Sequence, residues 1–245
     1  MEKKNFSLTV IVPFYNEEAF LSNSLEELIK INSYNEIILV DDFSTDESYK
    51  IATNYAKNYK NISLYKKNKN EGKGSCIIFA KENIKTTHAI VHDADLEYDP
   101  KDIDKLFDIS RKNPESLILG SRTIGNNPRV KKYKLLIFLN KVLTLLFSVI
   151  NSYKISDVAS CYMLMPTPFL KNFIYEEKGF GLEVEILSKF LRTNKDIIEI
   201  PINYTGRSYS EGKKIKIKDG LNIFIKILKY SKLFNKNKMT FRKRN

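Results

Sequence analysis

Cysteine is scarce. Only Cys76 and Cys161 are present, and they form no C-x-x-C pair, which excludes a disulfide framework and a cysteine zinc site. Such usage points to a reducing, cytoplasmic setting. Histidine is as rare: His88 and His92 stand without any Ser/His/Asp or Cys/His arrangement, and both are read as structural. Residues 1–7 are polar and lack the apolar core of a signal peptide. No repeat and no Pro/Gly/Ser-rich linker divides the 245 residues, so one domain is expected, large enough to bury a core without staples. A bilayer-crossing run is missing too. The strongly apolar stretch 135–150 has sixteen residues with Lys141 in its middle, short of the ~20 that span a membrane. It reads as a helix that packs in the core or dips into a membrane surface.

What is present in excess is positive charge, and it is localised. The net charge is +12, yet thirteen of the 41 Lys and Arg, and only two of the 29 acids, fall from Gly206 onward. The first 205 residues are therefore close to neutral. A basic end of this kind contacts anionic lipid, nucleic acid or phosphate ligands, or simply keeps the chain soluble.

Short apolar runs alternate with helical patterns. Strands are expected over 8–12, 36–40, 62–65, 89–92, 117–120 and 197–202. Helices are expected over 19–31, 46–59, 73–84, 100–111, 135–150, 182–192 and 218–234. Runs such as Ile37-Ile38-Leu39-Val40 suit strands covered on both faces of a parallel sheet. The last helix carries Lys226, Lys229 and Lys232 on one side and Ile223, Phe224 and Ile227 on another, a basic amphipathic pattern. A β-α-β-α-β series folds as an α/β three-layer domain with right-handed crossovers. Its ligands bind beyond the carboxyl ends of the strands, where strand order reverses. Three such ends are acidic or polar: Pro13 to Glu17, Asp41 to Asp46, and Asp93 to Glu97.

Asp93-Ala94-Asp95 carries the sharpest chemistry. Carboxylates two residues apart leave an extended strand end on the same side. They repel unless a cation lies between them, and hard oxygen ligands suit Mg²⁺ or Mn²⁺. The alternative is one Asp capping the next helix and the other facing water. Asp41 and Asp42 end the preceding strand, where a carboxylate can accept from a base or ribose. Ser44 or Thr45 suits an N-cap, and Asp46 suits the positive end of the helix. Asn70 to Ser75 is a glycine-containing loop opening a helix, with Lys73 at the point where an anion would approach. It lacks the Walker A spacing.

Together, Val10-Ile11-Val12-Pro13-Phe14-Tyr15-Asn16-Glu17, Val40-Asp41-Asp42-Phe43-Ser44-Thr45-Asp46, Asn70-Glu71-Gly72-Lys73-Gly74 and Asp93-Ala94-Asp95-Leu96-Glu97-Tyr98-Asp99-Pro100 resemble the family 2 glycosyltransferases. The dolichyl-phosphate mannose and glucose synthase-like branch is the most similar. Gly120-Ser121-Arg122, Ser156 to Ser160 and Gly206-Arg207-Ser208-Tyr209 extend the likeness over roughly residues 7–230. The resemblance implies a GT-A, Rossmann-like fold with a mostly parallel central sheet. One domain over 1–234 is expected, with a nucleotide-sugar half at 7–122, an acceptor half at 123–234 and a basic tail at 235–245. Pro13, Tyr15 and Glu17 would line the nucleotide pocket, with Asp41 or Asp42 on uracil or guanine. Asp93, Asp95 and Glu97 would hold the metal against the donor diphosphate. Arg122 would face phosphate, and Arg207 with Lys213 would close over donor or acceptor phosphate. Two departures stand out: Phe43 replaces the usual Gly of Asp-Asp-Gly-Ser, and Cys161 replaces the Gly of Ser-Gly-Phe. The pair of membrane-spanning helices common in prenyl-phosphate glucosyltransferases of this branch is not expected.

The implied reaction inverts the anomeric carbon of a hexose carried by a UDP- or GDP-sugar. A polyprenyl phosphate acceptor is already anionic and needs only positioning, whereas a sugar hydroxyl needs a general base, with Glu183 and Glu185 as candidates. Both acids also suit the first turn of a helix for structural reasons alone. The setting expected is cell-envelope glycan assembly, at the inner face of an anionic membrane held by the basic tail, each Lys or Arg contributing about 1 kcal/mol. A sugar nucleotidyltransferase would carry a Gly-rich N-terminal loop that 13–18 lacks. A basic nucleic-acid binder would leave three acidic clusters repelling phosphate, so no nucleic acid partner is expected.

Overall fold

The computed structural model describes residues 6–125, 134–207 and 217–231. Strand β1 (Leu8–Phe14) is buried along its whole length, as are five of the six residues of β2 (Glu36–Asp41) and all of β4 (His88–Val91). That is what continuous apolar runs require of central parallel strands. With β3 (Ile62–Lys66), β5 (Leu117–Ser121), β6 (Met163–Pro166) and β7 (Ile197–Pro201) they form one seven-stranded sheet in the order β3-β2-β1-β4-β6-β5-β7. Every neighbouring pair is parallel except the two made by β6. The chain steps outward from β1 to β2 to β3 and then returns to pair β4 on the other side of β1. This reversal opens a crevice over the carboxyl ends of β1, β2 and β4.

The helices follow their apolar spacing. In α1 (Leu21–Leu28), Leu21, Leu25 and Leu28 face the core, and in α4 (Lys101–Lys112), Ile103, Leu106 and Phe107 do so. Helix α2 (Ser48–Asn58) begins later than its capping residues suggest. Ser44 Oγ accepts from the Asn16 amide at 3.1 Å, and the Thr45 amide donates to Asn16 Oδ1 at 2.9 Å. These residues tie the β2 loop to the β1 loop, while Asp46 Oδ1 accepts the Ser48 amide at 3.0 Å. Helix α3 (Lys73–Ala80) follows, then α5 (Lys134–Asn151), α6 (Thr167–Asn172), α7 (Leu182–Phe190) and α8 (Ile217–Tyr230).

Three features differ from the sequence reading. Strand β6 and helix α6 were not anticipated, because a four-residue apolar run ended by Pro166 has no period that separates strand from buried helix. Helix α5 is eighteen residues long with mean hydropathy 1.6 and only 22% of it buried, long and apolar enough by length and composition to cross a membrane. One face packs in the core through Leu143 and Phe147, while on the other Phe138, Leu145 and Val149 are each more than 60% exposed. On α8 the basic face is not open. Lys226 pairs with Glu177 at 2.9 Å and Lys229 with both Glu176 and Glu177 at 3.0 and 2.9 Å, leaving Leu221, Phe224 and Ile225 exposed instead. Lys232 and the tail 235–245 lie outside the described residues.

Candidate active site

A cavity of about 290 Å³ occupies the crevice over β1, β2 and β4. Pro13, Tyr15, Glu17, Asp42, Lys73, Asp93, Asp95, Glu97, Arg122, Glu183 and Arg207, eleven of the sequence-predicted residues, line it. Asp41 and Glu185 do not. Lys213 lies outside the described residues.

Of the two acids ending β2, Asp42 is the one at the cavity. Its carboxylate accepts from Lys67 Nζ at 3.0 Å and from the amides of Glu71 and Gly72 at 3.1 and 2.6 Å. Asp41 points away, with Oδ1 taking the Ser44 amide at 2.8 Å and Lys66 Nζ 3.9 Å from Oδ2. The glycines of the following loop also serve differently than expected. A Cβ on Gly72 would lie 2.7 Å from the Lys178 carbonyl oxygen, and one on Gly74 would lie 2.6 Å from that of Glu177. They permit close packing against the 177–179 segment, and Gly72 at φ +97° needs its freedom. This contact fixes where Lys73 enters the cavity.

Phe43 follows Asp42 at φ +70° and is 44% exposed. A left-handed backbone disfavours a Cβ by about 1–2 kcal/mol, partly offset by the greater unfolded-state entropy of glycine. Phe43→Gly should therefore stabilise the fold by about 0.5–1 kcal/mol, read as a Tm rise of about 2 °C in a chain of this size. A fall in Tm would mean that the ring is held by contacts stronger than the strain.

The acids after β4 are drawn into two ion-pair clusters. Lys73 Nζ lies 2.8 and 3.0 Å from the two oxygens of Asp93, 3.1 Å from Glu183 Oε1 and 3.2 Å from Cys161 Sγ. Burial pushes the Asp93 carboxyl up, but the Lys73 ammonium outweighs it and holds the group below its ordinary value. Arg207 makes the second cluster. Its Nη2 is 3.1 Å from Asp95, its Nη1 3.3 Å from Glu17, and its amide donates to Glu97 Oε1 at 2.8 Å. The Tyr204 hydroxyl also donates to Glu97. Desolvation, with the charges of Asp93 and Glu97 behind it, raises Asp95 to about 7 despite Arg207.

A pair of carboxylates in which one resists ionisation until charge is neutralised is a donor set suited to a hard divalent cation. Asp93 and Asp95 both line the cavity and offer hard oxygen donors of that kind. Glu97 does not join them as a third: its carboxylate is taken by Tyr204 and Arg207, and no metal cage of three or more Asp, Glu, His or Cys occurs among the described residues. The remaining ligands would come from a substrate.

Two further candidates are held by ion pairs within the protein. Arg122 lines the cavity but is clamped by Asp157, Nε to Oδ2 at 2.7 Å and Nη2 to Oδ1 at 2.8 Å, with Nη2 also on the Ala159 carbonyl at 2.9 Å. Glu185 is not a candidate base, because it is fully buried and faces the other way. It accepts the amides of Glu176 and Glu177 at 3.0 and 2.9 Å and Lys189 Nζ at 2.6 Å, anchoring the loop before α7. Sequence reasoning missed Lys67, which holds Asp42, and Tyr204. The isolated bridge between Tyr98 and Tyr204 brings the last of these to the cavity, a long-range pairing without a local signal.

Residues 9–173 match the sequence profile described as Glycosyl transferase family 2. The chain belongs to that family. Within the family it falls in the dolichyl-phosphate sugar synthase branch. It is 26% identical over 262 residues to a dolichyl-phosphate beta-glucosyltransferase of Trichomonas vaginalis, an alignment covering 99% of this chain and 78% of that one. It is 28% identical over 230 residues to the dolichyl-phosphate beta-glucosyltransferase of Dictyostelium discoideum, covering 82% and 67%. The glucosyl-3-phosphoglycerate synthase of Mycobacterium tuberculosis, crystallised with Mn²⁺, UDP and glucosyl-3-phosphoglycerate, superposes with a TM-score of 0.71. At 14% identity over 92% of this chain and 80% of that one, it shows the shared GT-A fold.

Proposed function

We propose that this family 2 glycosyltransferase moves a hexose from a UDP- or GDP-sugar to a polyprenyl phosphate at a membrane surface, inverting the anomeric carbon. One observation supports this above the others. Helix α8 borders the cavity through Asp219 and Ile223 while its other side, Leu221, Phe224 and Ile225, is exposed and apolar. Helix α5 packs against α8 and exposes Phe138, Leu145 and Val149, which in this reading extend the apolar surface that meets the lipid. Fully burying each such side chain in lipid contributes about 1.5–3 kcal/mol, enough in sum for reversible docking. An acceptor phosphate at the headgroup level would then lie beside the cavity mouth. The names of the two relatives, both dolichyl-phosphate beta-glucosyltransferases, favour the same acceptor class.

In this reading the donor half is 7–122 and the acceptor half 123–234, with the tail 235–245 reinforcing attachment to an anionic inner leaflet. Pro13, Tyr15 and Asp42 hold the nucleoside, with Glu17 steadying Arg207. Asp93 and Asp95 would hold Mg²⁺ or Mn²⁺, which when bound offsets the charge building on the leaving nucleoside diphosphate. Lys73 and Arg207 supply fixed positive charge to the donor phosphates, and Arg122 with Lys213 to the acceptor. The acceptor phosphate attacks as an anion, so no side chain has to remove a proton.

A sugar hydroxyl acceptor is the second reading. Glu183 favours it, since its carboxylate faces the cavity with Oε2 buried and without a hydrogen-bond partner among the described residues. A screen of UDP- and GDP-sugars with Mn²⁺ separates the two. Polyprenyl phosphate in anionic vesicles should accept sugar, and a Phe138→Asp/Leu145→Asp variant should lose both vesicle co-sedimentation and transfer. Equal transfer to soluble glycans without vesicles, unaffected by that variant, would establish the hydroxyl reading instead.

A further inference from the structure

We infer that Lys73 is a resident counter-ion of Asp93 that competes with a divalent cation, so that cation and donor diphosphate bind strongly only together. The inference rests on the donor reading given above and concerns how the same site is regulated.

The ammonium is held at the wall of the cavity by three groups: both oxygens of Asp93, Glu183 Oε1 and Cys161 Sγ. Its side chain is only 16% exposed, so water screens these contacts little. Its backbone cannot withdraw, because Gly72 and Gly74 are pressed against the carbonyls of Lys178 and Glu177. The side chain alone can move. A cation approaching Asp93 therefore meets a carboxylate already neutralised and a fixed positive charge within about 3 Å of it. Like charges so close repel strongly at low dielectric.

The charge inventory of the cavity says what would relieve this. Seven acids line it, Glu17, Asp42, Asp93, Asp95, Glu97, Glu183 and Asp219, against Lys73, Arg122 and Arg207. A diphosphate alone faces that acidic excess. A dication alone faces Lys73. When both arrive, the diphosphate takes the ammonium as its own partner, and Asp93 is released to the dication. Each ligand thereby removes what opposes the other, and the enhancement must be reciprocal. Glu183 loses its partner in the same exchange. A bare cation, abundant and unproductive, would be kept from occupying the site without donor.

The test is a titration with Mn²⁺ alone, followed by electron paramagnetic resonance, and a separate titration with UDP alone. Lys73→Met and Lys73→Gln should bind Mn²⁺ at least tenfold more tightly than the wild type and UDP more weakly, while Lys73→Arg should resemble the wild type in Mn²⁺ affinity. A lysine with a purely structural role would lower both affinities when replaced, and unchanged or weaker Mn²⁺ binding in folded Met and Gln variants overturns the inference. If neither variant folds, the wild type decides. Weak binding of Mn²⁺ alone, which UDP tightens at least tenfold, is the result expected of a resident counter-ion, and micromolar or tighter binding of Mn²⁺ alone refutes it. No sugar is transferred in these titrations, so their outcome is independent of the acceptor screen.

Discussion

Replacing Asp93 and Asp95 together by asparagine should lower sugar transfer by at least about a thousandfold, equivalent to about 4 kcal/mol of transition-state stabilisation. Both side chains face the cavity at the carboxyl end of β4, next to the strand-order reversal where this fold gathers ligands. Losing one donor that stabilises developing charge in a dry site costs about a hundred- to a thousandfold, and here two carboxylates are neutralised at once. The fold should survive. The ion pairs of Lys73 with position 93 and of Arg207 with position 95 are lost, but Lys73 keeps Glu183 and Arg207 keeps Glu17 and Glu97, so neither cation is left without an acid. A thermal melt within a few degrees of the wild type, with transfer abolished, is the expected pair of results. Retained turnover in the double variant would remove the acid pair from the reaction.

The acid pair was legible because two simple signals coincide there. A β-branched apolar run marks a buried strand, and polar residues directly after it mark the edge where the crevice forms. The same logic located Pro13 to Glu17 and the Asp41-Asp42 step, although only the fold could separate Asp42 from Asp41. One faces the cavity and the other takes the Ser44 amide. Ion pairs were the part that stayed hidden. Lys73 lies twenty residues from Asp93 and Arg207 lies 112 from Asp95. No spacing rule joins side chains so far apart, so the acids that hold these two cations at the cavity could not be read from the sequence. Helix α8 failed for the same reason. Its lysines looked like a basic face until Glu176 and Glu177, far away in sequence, turned out to occupy them. Glu185 was misjudged because position in the first turn of a helix does not say which way a side chain points.

Asp157→Ala should be the most destabilising single change at the cavity wall, costing about 3–5 kcal/mol because it leaves a buried guanidinium uncompensated. Asp157 is fully buried, and Arg122 is 8% exposed at its side chain. The carboxylate accepts four hydrogen bonds from two residues: from the Arg122 amide at 3.0 Å, from its Nε and Nη2, and from Asn140 Nδ2 of α5 at 2.9 Å. The clamp thus joins β5, the 156–159 loop and the exposed apolar helix. At about 2–4 °C per kcal/mol for a chain of this length, Tm should fall by about 10 °C. Replacing both partners, Arg122→Met with Asp157→Leu, should lose much less, since no charge is then stranded. The pH dependence has a definite sign. Burial raises the Asp157 carboxyl, but Arg122 outweighs it and holds the group below its ordinary value. Its contribution is therefore complete above the unfolded value of about 4 and is lost as pH falls through the lower folded value. The wild type should lose stability across that acidic window, and the doubly apolar variant should lose less of it. If the single Asp157 change melts within about 1 °C of the wild type, corresponding to well under 1 kcal/mol, then the clamp holds nothing together.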